Sequence, residues 1–124
     1  MTTTAIFGAG VMGEALLSGL IRSKTVDSTF IVAERRPERA AELTSKYGVS
    51  VVDNIEAAKA ADTVVLVVKP QDMAAVLGEI SPTLKQGALV ISIAAGITTS
   101  YLESLLPSGT HVVRAMPNTP ALFD

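Results

Sequence analysis

The chain has 124 residues, of which 48% are hydrophobic and 18% charged, with a formal net charge of -2, one histidine and no cysteine. That is the length of about one domain with enough apolar residues for a packed core, which excludes a disordered chain. Nothing in the charge suggests a nucleic-acid or anionic-membrane partner, and the missing cysteines exclude a disulfide scaffold, a thiolate metal site and a thiol nucleophile.

The chain opens on Met1-Thr2-Thr3-Thr4 with no basic region before its apolar residues, which does not read as a signal peptide. A strand is expected over Thr4 to Phe7, followed at once by Gly8-Ala9-Gly10-Val11-Met12-Gly13 and a helical stretch whose Leu16, Leu17, Leu20 and Ile21 form an apolar stripe. Three glycines at this spacing between a strand and a helix suit a dinucleotide. They permit a tight turn, a close approach of backbone to pyrophosphate, and close packing of the helix on the sheet. The N–H groups and dipole of the helix start then face the phosphates.

The next strand is Phe30 to Ala33, then a helix from Pro37 to about Tyr47 with Gly48 as its stop. Val49 to Val52 is the weakest strand and reads as an edge. Asp53 or Asn54 caps a short helix through Ala60. Thr63 to Val68 shows no polar alternation and is expected at the centre of the sheet, covered on both faces. Met73, Val76, Leu77 and Ile80 mark a helix, and Ser81-Pro82 starts a further turn ending near Gly87. A fifth strand over Leu89 to Ile93 precedes a helix over Thr98 to Leu106, with Ser100 and Glu103 spaced as a capping box. His111 to Arg114 is the sixth strand. The longest apolar stretch, Ala88 to Ile97, is about half a membrane span. A soluble, cytoplasmic α/β protein is expected: one domain over residues 1–124, a doubly wound parallel sheet of Rossmann type, strand order 3-2-1-4-5-6.

Ligands on such sheets bind beyond the carboxyl ends of the strands, which selects a few loops. Glu34 lies about 20 residues past the glycines, where a carboxylate accepts from a ribose 2′-OH. Arg35 and Arg36 beside it offer multi-donor cations suited to a 2′-phosphate. The pair favours NADPH, with NADH possible, against the plainer reading of solvated charges at a helix start. Lys69 follows a buried strand and either contacts ribose or phosphate or is a lysine lying along the sheet edge. Ala94-Ala95-Gly96 permits close approach of a ring to backbone, or tight helix packing. In Met116-Pro117-Asn118-Thr119-Pro120, two prolines stiffen a polar pair at the crevice mouth. His111, at the far end of its strand, is structural or solvent-facing.

Phe7-Gly8-Ala9-Gly10-Val11-Met12-Gly13, Val68-Lys69-Pro70, Ser92-Ile93-Ala94-Ala95-Gly96 and Arg114-Ala115-Met116-Pro117-Asn118-Thr119-Pro120-Ala121 together resemble pyrroline-5-carboxylate reductase. The resemblance covers the whole chain and implies reduction of 1-pyrroline-5-carboxylate to L-proline with NADPH or NADH, the last step of proline biosynthesis. It implies that Phe7 to Met12 hold the pyrophosphate and that Arg36 and Asn54 lie near the adenosine 2′ position. Val67, Val68, Lys69 and Pro70, with Ile93, Ala94 and Ala95, would line the ribose and nicotinamide, with Asn118 close to the nicotinamide. Members of that family carry a second, helical domain that forms the dimer and completes the imine pocket. The chain stops where that domain is expected to begin. It therefore reads as the cofactor-binding half of a reductase, with no catalytic residue and no metal site of its own, dimeric or higher only with the helical part. The other readings are a non-catalytic NAD(P)-binding module and a related 3-hydroxyacid- or prephenate-type dehydrogenase.

Overall fold

Burial along the strands alternates between two apolar layers, and that alternation sets the architecture. In the computed structural model, which describes residues 2–8, 10–23, 28–93 and 97–115, six strands form one parallel sheet. They are β1 (Thr2–Phe7), β2 (Ser28–Ala33), β3 (Ser50–Val52), β4 (Thr63–Leu66), β5 (Leu89–Ser92) and β6 (His111–Arg114). Their order is β3-β2-β1-β4-β5-β6, as expected from the sequence, with β4 inside the sheet and β3 at an edge. Ile6, Val32 and Val65 point to one face and pack with Leu17 and Leu43. Ala5, Phe7, Ile31, Ala33, Val64 and Leu66 point to the other and pack with Met73, Leu77, Ile80 and Leu102. Successive side chains on a strand take opposite faces, so a strand covered on both sides must be apolar at every position.

The helices are α1 (Val11–Ser23), α2 (Pro37–Tyr47), α3 (Asn54–Ala60), α4 (Met73–Ile80) and α5 (Thr99–Leu105), with short 3-10 turns at Pro70–Asp72 and Ser81–Thr83. Helix α2 starts on Pro37 and stops on Gly48, whose φ of 70° is left-handed and whose N–H donates to the Thr44 carbonyl at 2.9 Å. Both limits follow from the sequence.

Several boundaries differ from the sequence expectation. Strand β1 begins at Thr2, because Thr2 and Thr3 pair with Ser28 and Thr29. Strand β4 stops at Leu66 rather than Val68: the Val67 N–H still donates to Phe7 at 2.8 Å, but the chain then leaves the sheet under Gly8. Strand β5 likewise stops at Ser92. Helix α3 is capped by Asp53, whose carboxylate accepts the Glu56 N–H at 2.8 Å, leaving Asn54 free for other work. The expected capping box of Ser100 and Glu103 is not formed. Thr98 caps α5 instead, accepting the Tyr101 N–H at 3.1 Å, two residues earlier than that box requires.

Candidate nucleotide-binding site

The register of β1, β2 and β4 brings Phe7, Ala33 and Leu66 level, so the chain leaves all three strands at one rim of the sheet. The glycine turn leaves β1 at this rim, and its three glycines do three different things. Gly8 has a φ of +101°, and a Cβ there would lie 2.9 Å from the backbone of Val67 and Val68. The turn can therefore cross the end of β4 only without a side chain. A Cβ on Gly13 would sit on the Gly8 carbonyl oxygen, so this position lets α1 close onto the turn. Gly10 is exposed, and a Cβ there would meet nothing within 4 Å. Its backbone faces open space at the mouth of the turn. Val11, Met12 and Gly13 form the first turn of α1, with the Glu14 N–H donating to Gly10 at 2.9 Å. Free backbone N–H groups at the start of a 13-residue helix, behind an uncrowded glycine, suit a pyrophosphate.

Beside the turn lies a cleft of about 390 Å³. Its near wall is Gly8 and Val68, its floor Ala33 with Glu34, Arg35 and Arg36 following β2, and its far wall Asn54, Asp72, Ala75, Val76 and Glu79. Both arginines are already engaged. Glu34 accepts from Arg36 through the guanidinium at 2.6 Å and the backbone N–H at 3.3 Å, which raises the Arg36 pKa further. One oxygen of Glu79 accepts from both Arg35 at 2.8 Å and the Asn54 amide at 2.7 Å. Three carboxylates and two guanidinium groups thus line one small cleft.

Glu14, the one acidic residue in the first turn of α1, would oppose a phosphate if left unpaired. It is instead held from α2, accepting from Lys46 at 2.9 Å, the Tyr47 hydroxyl at 2.6 Å and Arg39 at 2.6 Å. Those hydrogen bonds hold its carboxyl at about 2, well below the usual carboxylate value. Arg39 also pairs with Glu42.

The family profile described as NADP oxidoreductase, coenzyme F420-dependent, matches residues 3–96. The chain belongs to this NADP oxidoreductase family. Among curated proteins the oxidoreductase domain is similar to the pyrroline-5-carboxylate reductase of Mycobacterium leprae, 46% identical over 131 residues, covering 98% of this chain and 43% of that protein. Among solved structures it resembles a pyrroline-5-carboxylate reductase from Coxiella burnetii, with a TM-score of 0.88 and 35% identity, covering 98% of this chain and 46% of that one. A Plasmodium falciparum pyrroline carboxylate reductase with NADP bound gives a TM-score of 0.73 at 29% identity, covering 98% of this chain and 44% of that one. The chain thus spans less than half the length of these relatives, and the resemblance read from its motifs extends along nearly all of it.

In this oxidoreductase domain the structure gathers Gly8, Glu34, Arg35, Arg36, Asn54 and Val68 around one cleft. It does not bring every expected residue there. Phe7 is 1% exposed and its ring belongs to the core, so only its backbone is offered to the turn. Val67 packs partly on the α1 side of the sheet, while Lys69 and Pro70 are exposed ahead of α4. Ile93 is half-buried just beyond β5. Ala9, Ala94, Ala95, Gly96 and Asn118 lie outside the described residues. No helix among the described residues is long and apolar enough to cross a membrane. Sequence reasoning missed Asp72, Ala75 and Glu79, and took Val76 only as core. The signal was available: these four recur at i, i+3, i+4 and i+7, a second stripe of α4 and the turn before it, next to the buried stripe of Met73, Leu77 and Ile80.

Proposed function

We propose that residues 1–124 are the dinucleotide-binding domain of a cytoplasmic pyrroline-5-carboxylate reductase, taking NADPH, with NADH as a second donor. The single observation that carries this reading is the division of labour among the glycines: Gly8 and Gly13 have no room for a side chain, while Gly10 faces open space beside the start of α1. Relatives that are oxidoreductases over nearly the whole chain support it.

On this reading the backbone from Phe7 to Met12, with Gly13 closing the helix onto it, holds the pyrophosphate. Glu34, Arg35, Arg36 and Asn54 receive the adenosine ribose, the arginines favouring a 2′-phosphate and Glu34 a 2′-hydroxyl. Val67, Val68, Lys69 and Pro70 with Ile93, Ala94, Ala95 and Gly96 line the path towards the nicotinamide, with Asn118 close to that ring. The bound cofactor supplies a hydride to the C=N carbon of 1-pyrroline-5-carboxylate, whose nitrogen carries the proton, giving L-proline. A protonated cyclic imine is a good acceptor, so the protein's task is chiefly to position it and hold its carboxylate. The relatives' further length would supply that pocket and the dimer contacts.

Titration of the chain with NADPH and NADH by calorimetry, alongside a turnover assay with 1-pyrroline-5-carboxylate, tests the proposal. Nucleotide binding with little or no turnover by the 124 residues alone is expected. Absence of binding by either nucleotide would overturn it, and robust turnover would overturn the division of the pocket.

A further inference from the structure

The ion pair between Glu79 and Arg35 joins the far wall of the cleft to its floor. Arg35 follows β2, whereas Glu79 stands in the last turn of α4, 44 residues along the chain. The same Glu79 oxygen also takes the Asn54 amide, so a single carboxylate draws both donors towards α4. Glu34 is different in kind: it is a sequence neighbour of Arg36 and its side chain is only 9% exposed, so it is fixed in place. Glu79 is 33% exposed and Arg35 70%, so their pair meets water and can open. Neither is needed for the core, which on α4 is built from Met73, Leu77 and Ile80.

From this geometry we propose that Glu79 is a specificity-determining residue that lowers the preference for a 2′-phosphate over a 2′-hydroxyl. This rests on reading the cleft as the adenosine-ribose end of the nucleotide site. Glu79 occupies Arg35 and Asn54, two of the donors that a 2′-phosphate would use beside Arg36. A nucleotide carrying that phosphate must displace the carboxylate or lie beside it, with like charges opposed. A ribose bearing only a hydroxyl faces neither demand, because a neutral group neither needs the guanidinium nor repels the carboxylate. Glu79 therefore leaves a domain with two arginines in its cleft able to accept both cofactors.

The test is calorimetric titration of NADPH and NADH into the wild-type chain, E79Q, R35Q and the double variant, at low and high salt. Glu79→Gln keeps the shape and removes the charge. It is expected to bind NADPH about fivefold more tightly at low salt, the upper range for releasing an exposed ion pair, and the gain should shrink as salt screens it. NADH affinity should stay within about twofold, since the hydroxyl is neutral. In the R35Q background, E79Q should confer a much smaller gain, because the cation it unmasks is gone. An unchanged ratio of NADPH to NADH affinity, or weaker NADPH binding by E79Q, overturns the assignment while leaving the nucleotide site intact. Failure of the wild-type chain to bind either nucleotide overturns the site itself and this inference with it.

Discussion

Replacing Glu14 by Gln should remove a pH-dependent part of the stability whose size follows from the structure. Glu14 on α1 receives Lys46, Tyr47 and Arg39 from α2, and these bonds lower its carboxyl from 4.5 to about 2. Converted at 1.36 kcal/mol per pH unit, that displacement sets a ceiling of about 3.4 kcal/mol. Water reduces it, since Glu14 is 20% exposed and Lys46 is 61% exposed. About 1–2 kcal/mol is expected to survive that screening. The sign follows from proton binding. Between pH 4.5 and about 2 the unfolded carboxyl is protonated while the folded one is not, so the unfolded state binds more protons and stability rises with pH. The contribution is fully present above the unfolded value and is lost as pH falls through the folded one. Urea unfolding followed by circular dichroism, for wild type and E14Q at neutral pH and at steps down to about pH 2, measures it. The gap between the two proteins should be widest at neutral pH and narrow steadily below pH 4.5. A gap of constant size across that range, or none at neutral pH, would show that the three donors do not favour the ionised carboxylate.

The glycine turn yields a paired prediction. Gly13→Ala forces a methyl onto the Gly8 carbonyl and should cost about 2–4 kcal/mol of stability along with nucleotide binding. Gly10→Ala meets no protein atom, so its melting temperature should hold while NADPH affinity falls more than about tenfold, which differential scanning fluorimetry and calorimetry separate. Asp53→Ala removes the cap on Glu56 and should cost about 1 kcal/mol in a urea titration. Arg36→Gln should weaken NADPH about tenfold and leave NADH nearly unchanged, with equal losses for both nucleotides counting against a 2′-phosphate contact.

Most of the fold was legible because its local signals agree. The apolar runs gave the strands, Pro37 and Gly48 bounded α2, and alternating strand and helix periods implied the parallel order that the sheet adopts. What the sequence concealed depends on contacts between distant segments. Nothing local marks the end of β4 at Leu66, since Val67 and Val68 are good strand residues; the chain turns there because Gly8 crosses above it. Ser100 and Thr98 are both good capping types, and only the placement of Tyr101 decides between them. In the cleft, Glu34, Arg35 and Arg36 were legible because they follow a strand, whereas Asn54 was expected there only from the family resemblance. Glu79 was missed because it lies mid-chain on an amphipathic helix, where a glutamate ordinarily faces water. Only the packing of α4 beside α3, near the chain leaving β2, gives it Arg35 and Asn54 as partners.

The crossing of Gly8 over Val67 and Val68 bears on the order in which the protein acquires its function. The turn is written in the first thirteen residues, yet its shape depends on a strand made much later in the chain. Strand β1 is tied to that strand by the Phe7 carbonyl and by Asp62, which accepts from Thr3 across 59 residues. A nascent chain that has only β1, α1 and β2 lacks the surface against which Gly8 is set. Closing so long a loop is slow relative to forming local helices. Affinity for nucleotide therefore arrives late, with the joining of the two halves of the sheet, and its appearance during refolding would time that event.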